Sequence, residues 1–252
     1  MEQWQDNGII LSLRPHGETG AVISILCADH GRYSGYVYGA QSAKNRALLG
    51  IGNGVSVEWQ SRTADYLGRF NILDSQNFSA PILNCPLRLA AFLSACGLCD
   101  SLLPDHQSHS GIYHGLCTLF ELLPGSLWGP SYVMWEISLL KELGFGLDLS
   151  RCVAGGDNQT LSYVSPKSGC AVSFEKGRPY RDKLLNLPDF LKADFNGEIK
   201  EADILTGLKL TGYFLEYWAF AHQTRDIPQT RRRLERLVSE RIQQAQLVSS
   251  SF

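Results

Sequence analysis

Residues 17–46 read GETGAVISILCADHGRYSGYVYGAQSAKNR, and this stretch decides the fold of the N-terminal part of the chain. Two runs typical of β-strands, residues 21–28 and 33–39, flank the turn sequence DHG at residues 29–31. Glycine adopts positive φ without steric cost, which suits the end of a tight turn between antiparallel strands. The stretch therefore predicts a β-hairpin as the centre of a small β-domain.

Neighbouring segments extend this hairpin to five strands. Residues 9–13, 54–59 and 68–73 are further short runs of strand type, two of them with clear alternation. Five short strands are the number found in an OB barrel, although a five-stranded fragment of a sandwich has the same count. The sequence therefore predicts an N-terminal five-stranded OB-fold β-barrel.

The pattern becomes helical after a pair of prolines that follows the last of these strands. Residues 87–103, 112–123 and 131–143 are apolar segments that end at proline or glycine, the residues that commonly stop helices. Short connections between apolar helices predict a compact bundle. Further helices are predicted at residues 188–192, 204–223 and 228–246.

A Gly-, Ser- and Asn-rich segment interrupts the helices and carries Cys152 and Cys170. Each cysteine opens a C-x-x-C spacing, but Gly155 and Ser173 occupy the second position of each pair. Two thiolates alone do not complete a tetrahedral zinc site, so we expect no metal here. The segment also contains a strand-like hairpin within residues 161–174.

The predicted fold class is α+β with several domains. An OB-fold barrel is followed by an all-α helical bundle that contains a small degenerate insertion similar to a zinc knuckle. The predicted boundaries are 1–80 for the barrel, 81–150 for the first part of the bundle, 151–185 for the insertion and 186–246 for the second part.

Composition and charge limit the classes of function. The 252 residues carry a net charge of −2, with two basic against six acidic residues in 81–150 and fifteen against twelve in 151–252. Binding to nucleic acid would therefore depend on local basic patches. The chain has no apolar run long enough for a transmembrane helix and does not start like a signal peptide, so we expect a cytoplasmic protein.

Aromatic and basic side chains of the barrel are candidates for a nucleic-acid surface. Tyr36 and Tyr38 are two residues apart and share a strand face, and a flexible Gly-Ala-Gln-Ser-Ala stretch next to them carries Lys44 and Arg46. Rings stack on unpaired bases and cations contact phosphates, but the same residues also occur in barrel cores and on ordinary solvated surfaces. The DNA-binding candidates are Arg14, Arg32, Tyr36, Tyr38, Lys44, Arg46, Arg62 and Arg69; Trp59, Tyr66 and Phe70 are further rings that either stack on bases or fill the core.

A second basic cluster lies near the C-terminus. Arg232 and Arg236 are four residues apart on a predicted helix and share a face, which would suit phosphates or an acidic peptide. Glu235 and Glu240 balance part of this charge, so an ordinary solvated helix is the other interpretation. The candidates for partner binding are Arg225, Arg232, Arg233 and Arg236.

The pair Cys96-x-x-Cys99 has the spacing of a zinc site or a dithiol. It lies in an apolar predicted helix without basic neighbours, where cysteine behaves as a small hydrophobic residue with a raised pKa. Sequence motifs of phosphate-binding loops, nucleophile elbows and zinc proteases are absent. We therefore expect a protein that is not an enzyme and needs no cofactor.

The order of these parts resembles the RecO family of bacterial DNA repair and recombination mediators. After the barrel hairpin, the chain shows V-x-V-x-W-x-x-R from Val55 to Arg62 and E-x-x-L-L-x-x-L-G-F-G-L-D-L from Glu136 to Leu149. Residues 162–180, SYVSPKSGCAVSFEKGRPY, resemble the alphaproteobacterial branch of the family. The resemblance spans about residues 8–240.

The resemblance implies an OB domain, a helical bundle and, in some members, a zinc knuckle of four cysteines. Cys152 and Cys170 match the first and third of these cysteines, whereas Gly155 and Ser173 stand in place of the second and fourth. It also implies a non-enzymatic function: binding of single- and double-stranded DNA, annealing of complementary strands, association with RecR, contact with the acidic C-terminal tail of single-strand-binding protein, and assistance in loading RecA.

Two alternatives to a DNA-binding mediator remain open at the level of sequence. One is an adaptor that recognises other proteins without binding DNA, which the net charge of −2 favours. The other is a thiol or metal enzyme built on Cys96 and Cys99. A test of DNA binding at low salt distinguishes the mediator from the adaptor. Thiol titration with metal analysis distinguishes the mediator from the thiol or metal enzyme.

Overall fold

The structure is a computed structural model that describes residues 2–62, 67–221, 223–224 and 226–249, with the backbone only for Lys44, Val248 and Ser249. The chain forms two compact units. The first consists of Met1–Pro124 with Pro228–Arg231, and the second of Gly125–Ile227 with Arg232–Phe252.

Five strands of the first unit form a closed barrel in the order β1-β2-β3-β5-β4. Neighbouring strands are antiparallel except β3 and β5, which are parallel. This closed arrangement excludes a sandwich fragment and is consistent with the predicted OB barrel. The strands are β1 (Glu2–His16), β2 (Gly20–Cys27), β3 (Gly31–Val37), β4 (Gly54–Ser61) and β5 (Gly68–Gln76).

Strand β1 is fifteen residues long, far longer than the predicted run 9–13. Its residues 2–9 pair with β4 and its residues 8–16 pair with β2, with an irregularity in the register between Ile10 and Ser12. An irregularity of this kind bends a strand and increases its twist. One bent strand thereby closes the barrel and leaves neither of its neighbours as a free edge.

Alternation along β4 and β5 separates the core from the outer surface. Val57, Trp59 and Phe70 point inward and are at most 4% exposed, whereas Gln60 and Arg69 lie on the outer surface. Trp59 and Phe70 therefore fill the core instead of offering a surface for bases. The third ring considered with them, Tyr66, lies outside the described residues.

Helices α1 (Ala43–Leu48), α2 (Pro86–Leu102) and α3 (Ser110–Leu122) complete the first unit. Phe92 of α2 lies 4.1 Å from the ring of Phe120 on α3, and both are buried. The residues before α1 were expected to form a flexible stretch, but Ser42 accepts a hydrogen bond from the Asn45 N–H at 3.3 Å and caps a short helix. Serine at this position favours the helix because its side chain satisfies a backbone donor of the first turn.

The first unit extends without a break to Pro124, so residue 80, the predicted end of the barrel, lies inside it at the change from strands to helices. Both α2 and α3 contact the barrel. The segment predicted as the first part of the bundle, residues 81–150, is consequently divided between the two units.

The second unit combines helices with a small sheet of order β7-β6-β8. Strands β6 and β7 form the predicted hairpin, and Gly144 ends α4 with a φ of 87°. Among the residues that the structure describes, no helix is long and apolar enough to cross a membrane. The elements are α4 (Trp128–Glu142), β6 (Leu161–Val164), β7 (Ala171–Ser173), α5 (Phe174–Gly177), β8 (Leu185–Asn186), α6 (Glu201–Phe214), which continues as a π-helix over Leu215–Ala219, and α7 (Gln229–Ser249).

The helix predicted at residues 188–192 is wrong: the segment forms a single 3-10 turn over Asp189–Leu191. The turn ends because Lys192 returns to an extended conformation, with φ −84° and ψ 145°. At the core of the unit, the carboxylate of buried Glu136 accepts hydrogen bonds from Tyr132 at 2.8 Å and from Thr211.

We predict that Gly31→Ala destabilises the protein by at least about 2 kcal/mol, measured by chemical denaturation. Gly31 has a φ of 81°, and a Cβ atom there would lie 1.8 Å from the carbonyl oxygen of Gln107. Gly17→Ala is the matched control, because Gly17 has a φ of 68° with open space around it. The control should lose about 1 kcal/mol, and equal losses in the two variants would contradict the prediction.

Candidate nucleic-acid interface

A row of residues in register crosses the outer surface of all five strands. Arg14 pairs with Val22, Val22 with Tyr36, Tyr36 with Arg69, and Arg69 with Gln60. We call these five residues the outer row. Neighbouring strands lie about 4.8 Å apart, so the backbones of the two arginines are separated by three strand spacings, about 14 Å. The register thus places one cation on each side of a tyrosine.

Three aromatic rings lie around the middle of the outer row. Tyr36 contacts His16 edge to face at a centroid distance of 6.0 Å and contacts Tyr38 in the same manner at 4.7 Å. A Cβ atom on Gly20 would overlap the Tyr36 ring, which therefore lies directly against the glycine backbone. Tyr36 and Tyr38 share a face, as the sequence predicts, and Tyr38 is 69% exposed.

Arg69 lines a cleft of about 360 Å³ together with Tyr38, Asn45 and Glu58. Its guanidinium Nε donates to Oε1 of Gln60 at 3.0 Å, and Nη2 donates to the same oxygen. This pair directs the arginine side chain across the strands towards Gln60. The cleft can accept a phosphate at Arg69, while Glu58 adds a negative charge to its wall.

Three other candidate arginines of the barrel are exposed. Arg14 is 67% exposed, with its Nη2 at 3.9 Å from Asp100, and Arg62 directly follows β4. Arg46 lies on α1 and donates to the Gln41 carbonyl oxygen at 3.3 Å. Lys44 also belongs to α1, but its side chain is outside the described part of the chain.

Arg32 differs from these arginines because its donors are used inside the first unit. Nε donates to the Leu103 carbonyl oxygen at 2.8 Å, and the guanidinium pairs with Asp105 at 3.0 Å and Asp100 at 3.6 Å. Its side chain is only 15% exposed. Arg32 links β3 to the segment after α2. Its guanidinium is therefore not part of the candidate DNA surface.

Arginines on one face of α7 are exposed, whereas Arg231 of the same helix is buried. Arg232 is 3.9 Å from Glu216, and Arg236 is 3.7 Å from Glu240, with half or more of each arginine side chain exposed. Exposed pairs of this kind contribute little to stability, so both guanidinium groups can change partners. Arg233 is also exposed, whereas Arg225 lies outside the described residues. Their assignment to partner binding stays a prediction.

The residues of the insertion do not fit a zinc ion. The Cys152 thiol donates to Oγ of Ser173 at 3.5 Å, and its sulfur accepts the Ser173 N–H at 3.2 Å, so serine takes the place of a ligand. Gly155, where another ligand would stand, has a φ of 67° that a cysteine rarely adopts. Within the described ranges, no group of three cysteine, histidine or acidic side chains is placed to hold a metal.

Cys96 and Cys99 are fully buried in α2, and burial raises the pKa of both thiols. Thiols with raised pKa values are poor nucleophiles and poor metal ligands. This placement agrees with the prediction that the pair acts as two small hydrophobic residues.

His16, Gln60 and Gly20 are members or supports of the interface that the sequence did not indicate. Their places depend on the strand register, because His16 belongs to the extension of β1 beyond the predicted run and pairs with Gly20. An alternation of side chains that continued along β1 to His16 would have indicated the longer strand. The polar residues at the end of β1 obscured that alternation.

Both halves of the chain match models of one protein class. Residues 1–77 match the family described as recombination protein O N terminal, and residues 84–224 match recombination protein O C terminal. The two matches cover the barrel and most of the helical region, and together they define the chain as a recombination protein.

Three curated relatives narrow the class further. Proteins described as DNA repair protein RecO are 44% identical in Rhodospirillum centenum, over 92% of each chain, and 40% identical in Rhodospirillum rubrum, over 94% of this chain and 97% of the relative. A third, from a Ruegeria species, is 38% identical over 95% of this chain and 99% of the relative. The chain belongs to the RecO family, and these alphaproteobacterial relatives confirm the resemblance seen in the sequence.

Burial acts to raise the pKa of the Cys152 thiol, but the hydrogen bonds that its thiolate form accepts from the Ser173 hydroxyl and from the backbone N–H groups of Ser173, Gly156 and Ala154 outweigh it. Together they lower the pKa to about 7. An unfolded thiol titrates near its usual value of about 8.5, so between these values the unfolded chain binds more protons and stability rises with pH.

We predict that the free energy of unfolding rises more between pH 7 and pH 9 in the wild type than in Cys152→Ser, measured by denaturant titration. Cys170→Ser serves as the control and should keep the rise. Parallel pH profiles for the wild type and Cys152→Ser would contradict the prediction.

Proposed function

We propose that this chain is a cytoplasmic mediator of DNA repair and homologous recombination that binds single- and double-stranded DNA. In this proposal it anneals complementary strands and, together with RecR, helps to load RecA onto strands covered by single-strand-binding protein. It acts by binding and not as an enzyme. Membership of the RecO family supports the repair function.

The outer row is the observation that carries the DNA-binding part of the proposal. Arg14 and Arg69 flank Tyr36 on one continuous surface, which suits a strand that crosses the barrel perpendicular to its strands. The phosphates of that strand contact the two arginines, and its bases stack on the tyrosine rings. Few cations spaced in this way give weak, salt-dependent contacts that allow the strand to be released.

Annealing has physical requirements that suit such a surface. Two strands repel each other through their phosphates, so a protein that pairs them must neutralise charge while the base edges stay accessible. Phosphate contacts orient a strand without reading its sequence. A basic surface without a catalytic group meets both requirements.

The arginines of α7 support the assignment of a protein partner. Arg232, Arg233 and Arg236 form an exposed basic face, and acidic peptides bind to clusters of arginine. We propose that this face receives the acidic C-terminal tail of single-strand-binding protein. The neighbouring glutamates would be displaced when the tail binds.

The second candidate function is an adaptor that binds proteins without binding DNA. The net charge of −2 and the position of Glu58 beside Arg69 favour it. Fluorescence anisotropy with a labelled single-stranded oligonucleotide across a salt series distinguishes the two. Absence of binding at low salt would select the adaptor.

We predict that replacing both Arg14 and Arg69 by alanine weakens binding to all DNA sequences alike. Each lost phosphate contact lowers the salt slope by about 0.7 for a single strand, so the double variant should lose about 1.4. Anisotropy titrations at several salt concentrations measure both quantities. The control is the double alanine variant of Arg151 and Arg181, two exposed arginines of the second unit. An equal loss in the control would show a general charge effect and reject the assignment.

We also predict that alanine at both Lys44 and Arg46 lowers the affinity for DNA, because α1 borders the cleft that contains Arg69 through Asn45. The loss should be independent of sequence and should be larger at low salt than at high salt. The same titrations measure it, with thermal unfolding to show that α1 is intact. Unchanged affinity would remove α1 from the interface.

A further inference from the structure

Tyr38 is an exposed ring at the edge of the proposed DNA path. It directly follows β3, is 69% exposed and shares the cleft with Arg69 and Asn45. A tyrosine that fills a core would be covered on both faces. At this exposure, Tyr38 has ring surface open to solvent next to a cation that can bind a phosphate.

The ring is held in place from two directions. Tyr36 contacts it edge to face at 4.7 Å, and Tyr36 itself lies against Gly20 and His16. The Asn45 side chain donates to the carbonyl oxygens of Tyr38 at 3.2 Å and of Gly39 at 3.0 Å, which fixes the backbone that carries the ring. An exposed ring with a fixed position loses little conformational freedom when a base stacks on it.

Single- and double-stranded DNA differ in what they can offer this ring. Phosphates are exposed in both, so Arg14 and Arg69 can bind either. The faces of paired bases are covered by their neighbours in a duplex, whereas an unpaired base can leave its stack and lie on an aromatic side chain. The ring therefore favours single-stranded DNA, whereas the cations do not distinguish single strands from duplexes.

We infer that Tyr38 gives the barrel a preference for single-stranded over duplex DNA, with Tyr36 as the residue that positions it. This inference rests on the proposed function, since it requires that DNA follows the outer row. A preference of this kind would keep the protein on exposed strands and release it once they have paired. Stacking of one base on one ring accounts for roughly a tenfold difference in affinity.

The test compares Tyr38→Ala with the full-length wild type on a 20-mer and on its duplex. We expect Tyr38→Ala to weaken single-strand binding about tenfold and duplex binding less than twofold. Tyr38→Phe should keep the wild-type ratio because it keeps the ring, and Tyr38→Leu should lose it although the residue stays apolar. Tyr180→Ala, at a 62% exposed tyrosine of the second unit, is the control and should change neither affinity.

A spectroscopic measurement separates stacking from general disturbance of the surface. An oligonucleotide with 2-aminopurine at successive positions should show a change in base fluorescence when it binds wild type or Tyr38→Phe, and no such change with Tyr38→Ala. If Tyr38→Ala lowers single-strand and duplex affinity equally, or lowers neither, Tyr38 does not set the preference and the inference is overturned. The proposed DNA binding is not affected by that result. A wild type that binds neither form would instead overturn the proposed function.

Discussion

Closure of the barrel by β1 is the constraint on which the rest of the first unit depends. Because one bent strand pairs with both β2 and β4, the register of every other strand is fixed relative to it. A shift of one residue in any pairing would exchange core and surface side chains. The outer row exists for this reason: residues distant in sequence, from Arg14 to Arg69, align only when the barrel closes in this register.

Burial and neighbours, more than residue type, separate the functional candidates from the structural ones. Arg32 and Arg69 both lie on strands that pair in the barrel, yet Arg32 is enclosed by two aspartates and a carbonyl, while Arg69 rests on a neutral amide. An arginine paired with carboxylates gives up those contacts at a cost before it can bind a phosphate. An amide partner demands much less, which leaves Arg69 suited to exchangeable contacts.

Local chemistry made part of this structure predictable. The DHG turn, the stop at Gly144 and the hairpin of β6 and β7 depend on residues next to each other, so the sequence indicates them directly. The length of β1, the enclosure of Arg32 and the contact of Tyr36 with Gly20 depend on pairing across the barrel. No local pattern carries that information. The candidate site was therefore predicted as a set of residue types, and its arrangement required the fold.

The short pairing between β3 and β5 has a consequence for the smallest fragment that can fold. Within the described ranges these strands pair at Gly35 with Gly68 and at Tyr36 with Arg69, and Asp105 occupies the place beside Arg32 at the other end of β3. A fragment cut at residue 80 would expose that strand end and leave a guanidinium without its carboxylates. A fragment that keeps the barrel intact must therefore extend at least to Asp105, beyond the residues that form the five strands.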